Sequence, residues 1–270
     1  MPERTRLDHA LVRRGLAPSR ERAQALILAR DVLVDGVPAD RAAMPVAPDA
    51  RVEIRERPRY VSRGGEKLAP ALAAWDIPVE GRIALDIGSS TGGFTDVLLQ
   101  RGAARVYAVD VGKGQLDWRL RNDPRVVVME GINAREGFAL PEPVDLIVAD
   151  LSFISARLAI PPSFRHLRDG GDVVVLVKPQ FEAGREAVGK GGIVRDVEAR
   201  RDAALAVARR FAEDGVAPLA IRPSEVRGRE GNVEIFLHAR KGARSVDGLR
   251  LELEAEQAAA ADAEVAAATK

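Results

Sequence analysis

The sequence of 270 residues contains no cysteine. This absence excludes disulfide bonds, thiolate metal sites and cysteine nucleophiles. Aromatic residues make up only 4% of the chain, and no apolar run approaches the roughly 20 residues that a membrane-spanning helix needs. The first residues, 1–6, also lack the apolar segment of a signal peptide. We therefore expect a cytoplasmic protein that does not associate with membranes.

The overall charge carries little information, because the net charge is only +1. Its distribution is uneven, however. Arginine outnumbers the acidic residues in residues 1–63, a stretch that has no lysine, whereas residues 246–270 are rich in alanine and glutamate. The hydrophobic content of 46% supports a folded core. We expect a basic module at the amino end, and we interpret the tail at 246–270 as a solvated helix or a disordered segment without a chemical role.

Residues 1–56 have the pattern of a small α+β module. Leu7 and Leu11 have helical spacing, and Ser19 is a candidate N-cap for a second helix. An Asp35-Gly36 pair then follows a short apolar run, which is a strong signal for a tight hairpin turn. Residues 57–62, which contain a proline, are predicted to be a linker.

Residues 63–245 alternate between apolar strands and helix-length segments, a pattern that predicts an α/β domain with a doubly wound sheet. A short connection between the last two strands favours an antiparallel hairpin. The seven predicted strands are Arg82–Leu85, Arg105–Val109, Arg125–Met129, Val144–Ala149, Asp172–Val177, Pro218–Ile221 and Val233–Leu237.

Lys178 directly follows the apolar run at 172–177 and precedes a proline. Such a run indicates a buried parallel strand. The carboxyl ends of such strands form the edge at which open α/β sheets bind ligands. A partly desolvated lysine at this position can lose its proton near neutral pH and act as a base.

A glycine-rich turn follows the first strand of this domain and differs from the Gly-x-Gly-x-x-Gly pattern of dinucleotide-binding folds. It reads Asp86-Ile-Gly88-Ser-Ser90-Thr-Gly92. An acidic residue just before the first glycine would repel a pyrophosphate and suits a ligand with a cationic amino or sulfonium group. Asp110, at the end of the second strand, can accept hydrogen bonds from ribose hydroxyls, and Asn133 follows the third strand near the expected adenine. The pattern favours S-adenosylmethionine as the cofactor.

Four charged residues could meet at the carboxyl edge, namely Lys67, Asp150, Lys178 and Glu234. Spacing alone leaves ordinary alternatives open for three of them. Lys67 could lie on a solvated helix face, Asp150 could cap a loop, and Glu234 could point outward from an edge strand.

In order and context, these four residues resemble the Lys-Asp-Lys-Glu tetrad of FtsJ-like ribose 2'-O-methyltransferases. Longer strings across about residues 4–240 are similar to the TlyA family, whose members are described both as haemolysins and as rRNA cytidine-2'-O-methyltransferases. The strings include Tyr-Val-Ser-Arg-Gly-Gly-Glu-Lys-Leu, Asp-Ile-Gly-Ser-Ser-Thr-Gly-Gly-Phe-Thr, Ala-Asp-Leu-Ser-Phe-Ile-Ser, Leu-Val-Lys-Pro-Gln-Phe-Glu and Gly-Asn-Val-Glu-Ile-Phe-Leu.

The resemblance implies a Rossmann-like class I methyltransferase domain with a seven-stranded sheet, at 63–245, behind an S-four-type RNA-binding domain at 1–56. It implies transfer of a methyl group from S-adenosylmethionine to the ribose 2'-OH of a cytidine in rRNA of the large subunit, and in some members also of the small subunit. Lys178 would take or polarise the hydroxyl proton, with Lys67, Asp150 and Glu234 setting its orientation and charge. No metal is required. The protonation state of Lys178 stays open, because burial and pairing with carboxylates act in opposite directions.

The resemblance also implies that the amino-terminal arginines contact phosphates of folded rRNA, within a ribosomal subunit or as rRNA. A solvated basic surface is the alternative reading. We further expect a monomer or a weak dimer. The candidate RNA-binding residues are Arg4, Arg6, Arg13, Arg14, Arg20, Arg22 and Arg30.

Two other functions are alternatives, the first of which follows from the family's other name. One is a membrane-active haemolysin, which a liposome-leakage assay would separate from a methyltransferase. The other is a non-catalytic RNA-binding assembly factor, which has no use for a lysine at position 178.

Overall fold

The computed structural model describes residues 4–55 and 58–268. Residue 57 of the predicted linker and residues 269–270 of the predicted tail lie outside this range. The chain divides into two compact units, residues 1–58 and 59–270. Within the described ranges, no helix combines the length and the apolar character needed to cross a membrane.

The first unit has two helices followed by short strands, as predicted. Ser19 caps the second helix, because its Oγ accepts a hydrogen bond from the backbone N–H of Arg22 at 3.2 Å. Asp35 and Gly36 form the turn of a hairpin. The elements are β1 (Thr5–Arg6), α1 (Leu7–Arg13), α2 (Arg20–Leu28), β2 (Val32–Val34), β3 (Val37–Pro38), β4 (Pro45–Val46) and β5 (Val52–Ile54).

These strands form two small sheets, in which β1 pairs with β4 and β2 lies between β3 and β5. The β1–β4 pair is two residues long and was not predicted, because so short a segment has no measurable periodicity. The apolar faces of both helices and of β2 pack in one core around Leu7, Leu11 and Ile27.

The second unit is built on a seven-stranded sheet in the order β11-β12-β10-β9-β6-β7-β8. Its strands are β6 (Ile83–Ile87), β7 (Arg105–Asp110), β8 (Val126–Glu130), β9 (Val144–Ala149), β10 (Leu167–Val177), β11 (Val216–Pro223) and β12 (Ile235–Lys241). Its helices are α3 (Arg63–Ala74), α4 (Gly93–Gln100), α5 (Trp118–Arg121), α6 (Ala156–Ala159), α7 (Pro179–Glu182), α8 (Val197–Glu213) and α9 (Gly248–Ala268).

Five neighbouring strands, from β10 to β8, run parallel, and β12 runs antiparallel between β10 and β11. Both the seven strands and the final antiparallel hairpin are thus confirmed. Successive residues of β10 enter different cores: Val173 and Val175 pack on one face, and Val174 and Leu176 on the other. A strand covered on both faces requires apolar residues throughout, and this explains the unbroken run before Lys178.

Tyr60, which was assigned to the linker, is buried in the core of the second unit beside α3 and α4. A large aromatic side chain at the end of a proline-containing segment can pack on the adjacent domain, and the composition of the segment does not reveal this.

The carboxyl-terminal segment differs from the prediction. Residues 248–268 form α9, and Leu251, Ala255 and Ala258 are buried in the same core as β11 and α8. The expectation of a solvated or disordered segment was therefore wrong for this helix. Small side chains at helical spacing allow α9 to approach α8 closely. The composition of the segment alone does not indicate this packing.

Two polar contacts hold α9 in place. Oε2 of Glu254 accepts a hydrogen bond from the backbone N–H of Ile221 in β11 at 2.9 Å. Arg200 of α8, which is itself buried, donates to the carbonyl oxygen of Ala259 at 3.0 Å. The helix is thus fixed to both the edge strand β11 and α8.

Replacing Ala258 with aspartate should lower the free energy of unfolding by about 3 kcal/mol, because the change buries an unpaired carboxylate. Gln257→Asp introduces the same side chain at the exposed neighbouring position and should change stability by less than about 0.5 kcal/mol. Urea unfolding of the full chain measures both. Equal effects of the two substitutions would contradict the packing of α9.

Candidate active site

Three of the four predicted catalytic residues lie at one edge of the seven-stranded sheet. Asp150 follows β9 and Lys178 follows β10, so both stand at the carboxyl ends of parallel strands. Glu234 directly precedes β12. Because β12 runs antiparallel to β10, with Val177 opposite Ile235, its first residues lie at this same edge. The topology therefore brings three charged residues to the edge where open α/β sheets bind ligands.

The fourth residue, Lys67, reaches Glu234 from α3. Its Nζ lies 2.5 Å from Oε2 of Glu234, and the side chains are 10% and 3% exposed. The same helix buries Leu68 and Leu72, so the packing of α3 on the sheet draws Lys67 inward. The alternatives of a solvated Lys67 and an outward-pointing Glu234 are both excluded by this contact.

The loop before β12 encloses the Glu234 carboxylate. A Cβ atom at Gly228 would lie 2.4 Å from Oε1 of Glu234, so any larger residue would displace the carboxylate from its place beside Lys67. The guanidinium of Arg63 donates to the carbonyl oxygen of Arg227 at 2.8 Å and ties this loop to the start of α3. The loop and α3 together shield the Lys67–Glu234 pair from water.

Lys178 belongs to a second pair. Its Nζ lies 2.6 Å from Oδ1 of Asp150 and donates a hydrogen bond to Oγ of Ser152 at 3.0 Å. The side chains of Lys178 and Asp150 are 10% and 21% exposed. The two lysines are equally exposed, and the carboxylate of Asp150 makes this pair the more accessible of the two.

The glycine-rich turn after β6 lies against this second pair. Gly88 and Gly92 both adopt left-handed φ values, 82° and 96°. A Cβ atom at Gly88 would lie 2.7 Å from the carbonyl oxygen of Asp150. Oδ2 of Asp110, at the end of β7, accepts a hydrogen bond from the backbone N–H of Ser90 at 2.8 Å. The structure thus brings the predicted cofactor residues of the turn together with Asp110.

Asp86, at the end of β6, is fully buried. Oγ1 of Thr95 donates to its Oδ2 at 2.6 Å, whereas Oδ1 has no hydrogen-bond partner among the described residues. Burial raises the pKa of Asp86 to about 7; the Thr95 hydrogen bond opposes this rise, and the charge of Asp150 adds to it. A carboxylate with an unused acceptor in an apolar surrounding is stabilised by a cation that reaches it.

Asn133 occupies the predicted position after β8, but its side chain makes local contacts. Its Oδ1 accepts from the backbone N–H of Arg135 at 3.2 Å, and its Nδ2 donates to Glu136 at 2.8 Å. The adjacent residue, Ile132, donates its N–H to the carbonyl oxygen of Asp110 at 3.0 Å. The structure therefore brings the Asn133 segment to the end of β7, with the asparagine side chain serving as a helix cap.

The predicted RNA-binding arginines fall into three groups. Arg4, Arg13, Arg22 and Arg30 are exposed. Arg6 and Arg20 both bind the buried carboxylate of Asp8 at 3.0 Å, with about half of each side chain still exposed.

Arg14 forms the third group. Its guanidinium donates to the carbonyl oxygens of Ala47, Pro48 and Ala50, at distances from 2.7 to 3.2 Å. It therefore holds the loop before β5, and fewer of its donors remain for a ligand.

Three residues near Lys178 were not predicted to belong to the site: Ser152, Phe153 and Glu182. Phe153 is 92% exposed, has a left-handed φ of 65°, and its ring lies 5.4 Å from that of Phe181. Glu182 is buried. These residues could have been predicted from their positions after β9 and β10, since loops at the carboxyl ends of strands carry functional residues in this class of fold.

Comparison with known proteins agrees with this geometry. A family model described as FtsJ-like methyltransferase matches residues 60–241, and a model described as S4 domain matches residues 5–52. The chain is 51% identical over 245 residues to the 16S/23S rRNA (cytidine-2'-O)-methyltransferase TlyA of Mycobacterium tuberculosis, covering 89% of this chain and 91% of that protein.

Two further relatives carry the name haemolysin. The chain is 42% identical over 236 residues to Hemolysin A of Brachyspira hyodysenteriae, covering 86% of this chain and 98% of that protein. A solved structure described as a haemolysin from Streptococcus thermophilus has a TM-score of 0.70 and 37% identity, and covers 98% of this chain and 100% of that one. The predicted resemblance is confirmed by these matches, and the chain belongs to the family of FtsJ-like methyltransferases that includes TlyA.

Proposed function

We propose that the protein transfers a methyl group from S-adenosylmethionine to the ribose 2'-OH of a cytidine in ribosomal RNA. The observation that carries this proposal is the accessible Lys178–Asp150 pair, which lies against a glycine-rich turn at the carboxyl edge of the sheet. The 51% sequence identity between this chain and the 16S/23S rRNA (cytidine-2'-O)-methyltransferase TlyA supports the choice of substrate.

The residues at the end of β6 and β7 fit the cofactor. S-adenosylmethionine supplies an activated methyl group on a sulfonium centre and carries a cationic amino group. The unused Oδ1 of Asp86 suits such a cation, whereas a pyrophosphate would be repelled there. Asp110 has one acceptor lone pair on each carboxylate oxygen beyond its bonds to the N–H groups of Ser90 and Gly112, and these suit the ribose hydroxyls of an adenosine.

Lys178 is the residue that we assign to the attacking hydroxyl. Its side-chain nitrogen donates a hydrogen bond to Ser152 and lies 2.6 Å from Oδ1 of Asp150 as an ion-pair partner. A further N–H donor of this group can bind the 2'-oxygen of the substrate. From this position Lys178 polarises the hydroxyl and stabilises the negative charge that develops on its oxygen. In this transfer the bond from the 2'-oxygen to the methyl carbon would form as the bond from sulfur to that carbon breaks, which would leave a neutral thioether, and the hydroxyl proton would pass to solvent water.

The buried Lys67–Glu234 pair has a supporting role in this proposal. Its carboxylate, Glu234, is only 3% exposed and leaves little surface for a substrate. The pair fixes α3 and the beginning of β12 next to β10, and thereby holds the wall of the site beside Lys178. Phe153, exposed beside Ser152, offers an aromatic face on which the base of the target nucleotide can stack.

The first unit would hold the RNA around the target. Its exposed arginines are suited to phosphate contacts, and the scarcity of aromatic residues favours recognition of folded RNA over stacking on single strands. We propose that the substrate is rRNA assembled in a ribosomal subunit. Parallel methylation assays on isolated subunits and on deproteinised rRNA test this point.

Lys178→Ala should reduce kcat for methyl transfer to rRNA by at least about 100-fold, because it removes the group that stabilises the developing charge. S-adenosylmethionine affinity, measured by calorimetry, should stay unchanged. Lys241→Ala is the matched control, since this lysine binds the carbonyl oxygens of Phe164 and Leu167 at the other end of β12. Near-normal turnover in Lys178→Ala would contradict the assigned role.

Replacing Arg22 with alanine should weaken binding to rRNA and lower the slope of log affinity against log salt concentration by about one. Arg210→Ala removes an exposed arginine that is paired with Asp214 on α8, and it should leave the slope unchanged. Filter binding at several salt concentrations measures both. Identical slopes in wild type and Arg22→Ala would remove this residue from the RNA interface.

Asp86→Asn should have two distinct effects, one on the free energy of unfolding and one on the affinity for S-adenosylmethionine. The pKa of Asp86 is about 7 in the folded chain and 3.8 ordinarily, so its favourable contribution to stability is complete below about pH 4 and is lost as pH rises through 7. At pH 8 the variant should therefore be more stable than the wild type by up to about 4 kcal/mol, and the difference should be small at pH 4.

The same variant should bind S-adenosylmethionine more weakly at pH 8, because the amide carries no charge opposite the amino group. Urea unfolding and calorimetry at both pH values measure the two effects. A stability difference that is equal at pH 4 and pH 8 would contradict the raised pKa, and unchanged affinity would contradict the cofactor contact.

A further inference from the structure

Glu182 lies four residues beyond Lys178, at the end of α7, and is only 8% exposed. Its carboxylate accepts hydrogen bonds from the backbone N–H of Ala156 at 2.5 Å, from Oγ of Ser155 at 2.6 Å and from Nε of Arg157 at 3.1 Å. All three donors belong to the segment that follows Asp150. A buried carboxylate requires such donors, and here every one of them comes from the neighbouring loop.

Two further contacts join the same segments. The guanidinium of Arg157 donates to the carbonyl oxygen of Glu182 at 3.0 Å, and the rings of Phe153 and Phe181 pack together. Segment 150–157 and segment 178–182 are therefore held together by several side-chain contacts. The contacts of Lys178 with Asp150 and Ser152 also join these two segments.

Helix capping alone does not account for this carboxylate. The helix α6 has only four residues, and Ser155 already caps it by accepting from the backbone N–H of Arg157 at 3.2 Å. Burial raises the pKa of Glu182 in spite of its hydrogen bonds, so placing a charged carboxylate at this position costs stability. A residue kept under such a cost is a candidate for a role in function.

Phe153 indicates what that role is. Its left-handed φ of 65° is unfavourable for an aromatic residue and persists only where neighbouring contacts hold the backbone. Ser152 is held on one side by Lys178, and Ser155 is held on the other side by Glu182. The strained turn thus lies between two anchors, one of which is the proposed catalytic lysine.

We propose that Glu182 is a positioning residue for methyl transfer, which fixes the segment carrying Asp150, Ser152 and Phe153 against Lys178. This inference rests on the proposed function. It predicts that loss of the Glu182 carboxylate loosens the loop after β9, misplaces the ammonium of Lys178 and leaves the cofactor residues at the ends of β6 and β7 in place.

Glu182→Gln tests this directly, because it keeps the size of the side chain but replaces one acceptor oxygen with an NH2 group that faces a donor. We expect kcat on rRNA to fall by about 10- to 100-fold, with the Kd for S-adenosylmethionine within about twofold of the wild-type value. Hydrogen exchange followed by mass spectrometry should show faster exchange confined to residues 151–157.

Asp172→Asn is the matched control. Asp172 is also a buried carboxylate with several donors, Arg82, His238 and Arg240, but it stands in the middle of β10, away from the carboxyl end that Lys178 follows. This variant should lower the unfolding midpoint without lowering kcat at a temperature at which it is fully folded. If Glu182→Gln does not fold, Ser155→Ala removes one donor and should give a smaller fall in kcat with the same local increase in exchange.

Wild-type kcat in Glu182→Gln, or a fall in kcat that Asp172→Asn reproduces, would overturn the positioning role. These outcomes differ from a failure of the proposed function. If the wild-type protein transfers no methyl group to rRNA or ribosomal subunits, the function itself is wrong. If Lys178→Ala abolishes transfer and Glu182→Gln retains it, only the inference on Glu182 is wrong.

Discussion

Two ammonium groups and two carboxylates lie where apolar strands end, and none of them could be buried there alone. An isolated charge in such surroundings costs several kcal/mol, whereas a close pair with further hydrogen bonds recovers most of that cost. Lys67 and Glu234 satisfy each other inside the protein, and Lys178 and Asp150 do so nearer to solvent. The order of strands follows the same constraint, because Glu234 reaches this edge only through the antiparallel insertion of β12 beside β10.

Of these two ion pairs, Lys67–Glu234 is enclosed and structural, and Lys178–Asp150 is the more accessible. The enclosed pair fixes α3 and the beginning of β12, and the loop at Gly228 packs closely against the Glu234 carboxylate. The accessible pair keeps one donor of Lys178 free for a ligand. The four residues of the motif therefore have different roles, and their order along the chain does not reveal this difference.

The sequence allowed much of the catalytic unit to be predicted, because a strand buried on both faces leaves a clear signal. The run at 172–177 located β10, and the residue after it located one member of the site. Lys67 could not be placed from spacing, since its burial depends on how α3 packs on the sheet. The buried state of α9 was missed for a similar reason: an alanine stripe is compatible with solvent and with close packing, and only the small residues of α8 decide between them. The turn at Phe153 depends on contacts from distant segments, which no local pattern records.

The contact between Glu254 and the N–H of Ile221 bears on solubility as well as on packing. The strand β11 is the last one on its side of the sheet, and the unpaired backbone groups of such a strand can recruit a strand from another molecule. By accepting one of these hydrogen bonds and covering the strand, α9 protects this border of the sheet from intermolecular pairing. A chain shortened before residue 248 would therefore lose more than a helix, because it would present an open β-edge and would tend to aggregate through it.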